Sequence, residues 1–154
     1  MIEYIEGNIL DTDCDIICHQ VNCQGVMGAG LAKQIKEKYL EAYTYYRHFC
    51  YITYNKSTLL GNIQKIECHD GRNIVNMFSQ NEYGKDKKYT DYEALETCIK
   101  KVSELAPYYE NGVAFPYGLG CGLAGGDWSI VKELIEKYFK NSETVCKIYK
   151  YNKQ

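Results

Sequence analysis

A glycine-rich turn that joins an apolar strand to an amphipathic helix occurs twice in this chain, and few folds accommodate both. The first covers residues 19–32, His-Gln-Val-Asn-Cys-Gln-Gly-Val-Met-Gly-Ala-Gly-Leu-Ala. It begins where the apolar run Ile16-Ile17-Cys18 is expected to stop, and it enters a helical pattern at Leu31-Ala32-Lys33-Gln34-Ile35. The second covers residues 116–128, follows Val113-Ala114-Phe115 and carries glycines at 118, 120, 122, 125 and 126. Glycine lets backbone approach a ligand closely, and the first free N–H groups of a helix, with its dipole, favour an anion. Open α/β sheets bind ligands in the crevice beyond the carboxyl ends of their strands. Two such loops therefore point to one ligand with more than one phosphate, a dinucleotide-like diphosphate being the simplest.

The rest of the chain supplies the elements these loops need. Residues 1–6 alternate apolar and polar with the period of a half-buried strand, and the more continuously apolar 13–18 suits the interior of a parallel or mixed sheet. Helices are expected to about Lys38 and again over 41–50. Residues 60–68 and 73–78, separated by His69-Asp70-Gly71-Arg72, form a hairpin pattern. Residues 79–89 are polar and charged and are expected as a surface loop carrying Gln80, Asn81, Tyr83 and Lys85, a place where function tends to sit. Ala94, Leu95, Cys98, Ile99, Val102 and Leu105 recur at helical spacing, with Thr90 as an expected N-cap and Glu93 three residues on. A last helix follows the second loop, with Asp127 able to cap it, and residues 143–149 close the domain. Strands alternating with helices predict an α/β protein, a three-layer α/β/α sandwich with a mixed central sheet, as one domain over 1–154.

Composition narrows the function. A net charge of −2 gives no overall basic excess for a nucleic-acid scaffold. The eight cysteines show no regular disulfide spacing, and without a signal peptide the expectation is a reducing cytoplasm. Cys14, Cys18 and Cys23 lack a paired Cys-x-x-Cys, so buried free thiols are favoured over a metal site. No apolar run is long enough to span a membrane, and a compact single domain makes a monomer the default.

Four motifs in order then resemble a known family: Tyr4-Ile5-Glu6-Gly7-Asn8-Ile9, Asn22-Cys23-Gln24-Gly25-Val26-Met27-Gly28-Ala29-Gly30-Leu31-Ala32, Asn76-Met77-Phe78-Ser79-Gln80, and residues 116–128. Over nearly its whole length the chain is similar to a macrodomain, the ADP-ribose-binding module. It looks closest to the branch of the terminal ADP-ribose protein glycohydrolase, the DNA ADP-ribosyl glycohydrolase antitoxins and the ADP-ribose 1″-phosphate phosphatase. The resemblance implies hydrolysis, without metal or cofactor, of a group linked at the 1″ carbon of ADP-ribose. The partner would be ADP-ribose or an ADP-ribosylated protein or DNA.

It also implies placements. Asn8 stands where the family has an aspartate accepting from the adenine amino group, and Ile9 would lie against adenine. Gly28, Ala29, Gly30 and Leu31, with Gly118, Gly120, Cys121, Gly122, Leu123 and Ala124, would hold the two phosphates. Asn22 to Gly25 would border the distal ribose, with Met27 as a flexible cover. Where the protein glycohydrolase of this branch carries a nucleophilic lysine and an assisting aspartate, this chain has Gln80 and Ala124. Lys85 is then the candidate nucleophile, against a solvated loop lysine. His19 matches a functional histidine of the phosphatase, against a buried histidine bonded to backbone. Asp127 matches an aspartate of the antitoxin enzymes that orients water or a ribose hydroxyl, against a helix cap. A non-catalytic ADP-ribose reader stands as the alternative to an enzyme, and a pocket for a different nucleotide as a third reading.

Overall fold

The computed structural model describes residues 1–151; of the single domain expected over 1–154, residues 152–154 lie outside it. In chain order the elements are β1 (Ile2–Glu6), β2 (Ile16–Asn22), α1 (Gly30–Lys38), α2 (Leu40–Ile52), β3 (Ile63–Glu67), β4 (Asn73–Gln80), α3 (Tyr92–Leu105), β5 (Val113–Pro116), α4 (Trp128–Phe139) and β6 (Cys146–Lys150). The strands form one sheet in the order β1-β6-β5-β2-β4-β3. Every pair is parallel except the β3–β4 hairpin. At that hairpin Gly71 turns the chain at φ +87°, and Asp70 Oδ1 accepts from the Arg72 N–H at 3.0 Å.

Period-two alternation assigns the layers. Ile16 and Cys18 of β2, with Val75 and Met77 of β4, pack against Leu95, Ile99 and Val102 of α3 and Val131, Ile135 and Phe139 of α4. The intervening Ile17 and Ile74 face the other way, toward Ile35 of α1 and Ala42 of α2. Val21 and Phe78 continue that second face against Tyr46 and Cys50 of α2. The α/β/α sandwich with a mixed sheet is thus the observed architecture, α1 and α2 on one face, α3 and α4 on the other.

Three local expectations change. β2 does not end at Cys18 but runs four residues further, because parallel pairing with β4 carries the ladder from Ile16↔Asn73 to Asn22↔Gln80 across a register shift after Val21. Ser79 and Gln80 belong to β4 rather than to the following loop. Asp91, not Thr90, caps α3, its side chain accepting from the Ala94 N–H at 3.0 Å, while Thr90 is buried and bridges to Gln80.

All eight cysteines are free, and seven are buried. Burial pushes the thiols of Cys23, Cys98 and Cys146 up to about 12, which leaves them protonated and inert at neutral pH. Among the described residues no helix is long and apolar enough to cross a membrane.

The face that carries α4 is closed by Phe115 and Phe139, both fully buried with centroids 5.5 Å apart in an edge-to-face arrangement. Phe139→Ala removes this contact and leaves a cavity, and is expected to cost about 3–5 kcal/mol, measured as a lower midpoint in urea unfolding at an unchanged slope.

Candidate functional site

β2 and β5 are parallel neighbours, but the connection leaving β2 enters α1 on one face of the sheet and the connection leaving β5 enters α4 on the other. The two chains must part at their carboxyl ends, and the gap between them is a cavity of about 640 Å³. Its floor is the end of β2, from His19 to Asn22, with Gln80 at the end of β4. One wall is Gly28 to Ala32, the opposite wall Pro116 to Gly120 with Gly122 to Ala124, and the rim includes Tyr83, Gly84 and Lys85.

Both walls present backbone donors. The N-cap of α1 is Ala29, whose side chain cannot cap it, and the first N–H to bond into the helix is that of Lys33. Among the described residues, the N–H groups of Gly28 to Ala32 therefore have no intramolecular acceptor. In the second loop, the N–H groups of Leu119, Cys121, Gly125 and Gly126 turn back onto loop carbonyls, whereas those of Gly120, Gly122, Leu123 and Ala124 do not. Among the described residues no carboxylate lines the cavity, and Lys85 is its one formally charged side chain. Two arrays of free donors in a pocket without acidic groups suit an anion with two charged groups.

The loops are held in place by side-chain amides, one buried and one half-buried. Asn22 Oδ1 accepts from the N–H groups of Gln24 and Val26 and from the Tyr46 hydroxyl at 2.7 Å, and its Nδ2 donates to the Val26 carbonyl at 2.8 Å. Asn22 thus shapes the first loop with all its side-chain atoms engaged. Gln20 ties the floor to the second loop: its Nε2 donates to Gln80 Oε1 at 2.8 Å and to Thr90 Oγ1 at 3.0 Å, while Ser79 Oγ donates to its Oε1 at 2.8 Å. Thr90 Oγ1 in turn donates to the Gly120 carbonyl at 2.6 Å. Gly120 sits at φ +71°, the left-handed region that favours glycine, and a Cβ there would come within 2.9 Å of Gln20 Oε1 and displace that side chain.

The comparisons with known proteins agree with this geometry. The family model described as Macro domain matches residues 18–135. The chain belongs to the macrodomain family. The DNA ADP-ribosyl glycohydrolase of Mycobacterium tuberculosis is 32% identical over 145 residues, 91% of this chain and 39% of that protein. The ADP-ribose 1″-phosphate phosphatase of Aspergillus clavatus is 31% identical over 106 residues, 55% of this chain and 53% of that protein. The chain thus spans about two fifths of the first relative and half of the second. Among solved structures, the macrodomain of Mycobacterium tuberculosis DarG superposes with a TM-score of 0.82 at 24% identity, covering 100% of this chain and 99% of that one.

Within this macrodomain the expected site residues separate into two groups. Asn22, Gly28, Ala29, Gly30, Leu31, Gln80, Lys85, Gly118, Gly120, Gly122, Leu123 and Ala124 all line the cavity, as does His19. Asn8, Ile9, Gly25, Met27, Cys121 and Asp127 do not. Asn8 Oδ1 accepts from the Leu10 N–H at 3.0 Å and caps a short 3-10 helix, and Ile9 is buried in the core beside it. Met27 is not a cover: it is buried with Val21, Cys23 and Tyr46 beneath the first loop. Gly25 faces Cys50 of α2 at φ +80°, and Cys121 Sγ is turned to the Leu119 carbonyl. Asp127 takes the capping role, accepting from the Ser129 N–H at 2.9 Å and the Ser129 hydroxyl at 2.8 Å.

His19 has the environment of a core histidine. Its Nε2 donates to Asn76 Oδ1 at 2.5 Å, a direction set by the Asn76 amide, which donates to Gln64 Oε1 and the Ala42 carbonyl. Its Nδ1 is buried with no partner among the described residues. Burial pushes the ring down to about 4, against the weaker opposing effect of Asn76, so it is neutral at pH 7 and is no proton donor there. Residues missed in the sequence are Gln20, Ser79 and Thr90. The first of these lies where the strand was expected to have ended, and its role depends on partners 59 to 70 positions away.

The His19 shift gives stability a pH dependence. An unfolded histidine titrates near 6.5, so between pH 6.5 and 4 the unfolded chain binds a proton that the native chain excludes. This contribution is fully present above pH 6.5 and is lost as the pH falls to 4, about 3 kcal/mol in all. His19→Gln keeps a donor for Asn76 without the titration. Its unfolding free energy is expected to fall less than the wild type's between pH 6.5 and 4, in urea titrations at a series of pH values.

Proposed function

We propose that this macrodomain binds ADP-ribose in the cavity between β2 and β5 and hydrolyses, without a metal, the bond to a group linked at its 1″ carbon. The observation that carries the reading is the pair of donor arrays on opposite walls, one at the start of α1 and one in the 118–124 loop, spaced across a pocket that no carboxylate lines among the described residues. A diphosphate takes hydrogen bonds from both. The relatives named for ADP-ribosyl and ADP-ribose 1″-phosphate chemistry support the same ligand.

With the diphosphate fixed, the distal ribose lies between the 22–28 loop and Gln80, and its 1″ substituent points toward the rim at Lys85. Binding energy at adenine and diphosphate positions the scissile bond. Water adds its oxygen to the 1″ carbon, the bond to the leaving group breaks, and the leaving group departs with the water's proton. Lys85, exposed at the rim, supplies a positive charge beside a departing carboxylate, phosphate or base. Gln80 cannot act as a nucleophile; its Oε1 is held by Gln20, and its Nε2 donates to the Glu82 carbonyl at 2.8 Å. His19, neutral and turned to Asn76, leaves the phosphatase-like acid–base mechanism without its imidazole.

A binding module without turnover is the second reading, favoured by Gln80 and Ala124 at the positions where the resembling protein glycohydrolase has its lysine and aspartate.

The two separate in one set of measurements: calorimetric titration with ADP-ribose, and release of free ADP-ribose from ADP-ribosylated DNA, carboxylate-linked ADP-ribosylated protein and ADP-ribose 1″-phosphate. Gly120→Val is expected to weaken ADP-ribose binding at least tenfold, about 1.4 kcal/mol. Lys85→Ala is expected to lower the release rate with little change in affinity, and Asp127→Ala to cost about 1 kcal/mol of stability without touching release. Binding with no release from any of the three substrates leaves the module reading, and absence of ADP-ribose binding refutes both.

A further inference from the structure

The cavity lacks the base reader that the family resemblance assigns to it. Asn8 and Ile9, expected at adenine, lie outside the lining, and Asn8 Oδ1 is spent on the Leu10 N–H. The side-chain amides that do line the cavity are spent as well. Both ends of Gln20 and of Asn22 are bonded within the protein, and Gln80 accepts from Gln20 and donates to the Glu82 carbonyl. Tyr83 and Lys85 follow Gln80 at the rim, the end given above to the 1″ substituent. Among the described residues, no amide or carboxylate of the lining is left to read the edge of a base.

The opposite end offers a ring instead. Tyr117, the one aromatic residue of the 116–124 stretch, lines the cavity just past β5. Its N–H donates to the Tyr149 carbonyl at 2.8 Å, which extends the β5–β6 ladder and ties Tyr117 to the β6 side. Gln80 ends β4, on the far side of β2, so the two residues stand at opposite ends of a ligand laid across the gap between β2 and β5. The Tyr117 ring is 40% exposed and rests against Trp128, the first residue of α4, with centroids 4.6 Å apart. The ammonium of the exposed Lys150 lies over the ring, 4.8 Å from its centre, on a long side chain that a flat ligand can displace. Stacking on such a ring accepts any base, because every base has a π-face, and backbone N–H groups bind phosphate whatever base it is joined to.

We propose that Tyr117 is the stacking platform for the nucleobase and that the pocket does not select adenine: its ligand class is a nucleoside diphosphate joined to ribose, whichever base it carries. This base site rests on the ADP-ribose reading of the same cavity and widens it. The two backbone arrays hold the phosphates, the distal ribose fills the side of the 22–28 loop, and the base takes the place over Tyr117 that the Lys150 ammonium occupies.

The test is calorimetric titration of the full chain with ADP-ribose, with its guanine and cytosine counterparts, and with diribosyl diphosphate, which has no base. The guanine counterpart is expected to bind within about threefold of ADP-ribose and the cytosine counterpart within about tenfold, the smaller ring stacking less strongly. Tyr117→Ala should weaken the base-bearing ligands about five- to a hundredfold and leave diribosyl diphosphate as it is, whereas Tyr117→Phe, which keeps the ring, should bind them all like wild type. Asn8→Ala should leave the ratio of ADP-ribose to its guanine counterpart unchanged. A guanine counterpart more than about tenfold weaker than ADP-ribose, or a ratio that moves in Asn8→Ala, shows a reader of the base edge and overturns the proposal. So does a Tyr117→Ala variant that binds ADP-ribose like wild type, or one that loses diribosyl diphosphate to the same extent, which would make the ring a support for the loop. Binding of ADP-ribose alone keeps the cavity assignment and removes the open base site, and binding of no ligand in the series removes both.

Discussion

Two adjacent parallel strands whose connections leave on opposite faces of a sheet cannot close the space between their carboxyl ends. In this chain that constraint falls on β2 and β5, and the helices that follow them are pulled apart, α1 toward the α2 face and α4 toward the α3 face. The backbone N–H groups bordering the gap have lost their secondary-structure partners for a topological reason, not through any local weakness. An α1 whose N-cap, Ala29, offers no side-chain acceptor, costly in an ordinary surface helix, is what leaves those donors available.

Most of the architecture was legible because it rests on periodicity and turn chemistry. Alternation in residues 1–6 and 60–68, helical spacing from Ala94 to Leu105, and the glycines of both loops are local signals. The end of β2 was not. His19, Gln20 and Asn22 look like loop residues because their side chains are polar, and nothing nearby shows that each finds a buried partner. Asn76 for His19, Thr90 and Gln80 for Gln20, and Tyr46 for Asn22 all come from other elements. Polar residues survive inside a sheet when such partners exist, and pairing at that range is invisible to pattern.

The site was legible in the same divided way. Residues named for backbone donors, from Gly28 to Leu31 and Gly118 to Ala124, fall on the cavity with Cys121 alone turned aside, since glycine spacing reports backbone shape directly. Residues named for side-chain chemistry fared differently. Asp127 is spent on Ser129 and His19 on Asn76, and Met27 packs downward. A side chain's chemistry depends on which way it points and what it already holds, and only the folded chain decides that.

The Gln20 side chain spans three segments that are far apart in sequence: it touches Ser79 and Gln80 at the end of β4, and through Thr90 it reaches the carbonyl of Gly120. The 118–120 wall of the cavity is therefore braced to the floor rather than independently hinged. A ligand meeting such a pocket loses little to ordering it, so differences in affinity among related ligands would reside in how fast they leave, with rates of entry nearly constant. Loosening the brace would convert the same cavity into one that must be assembled around each guest.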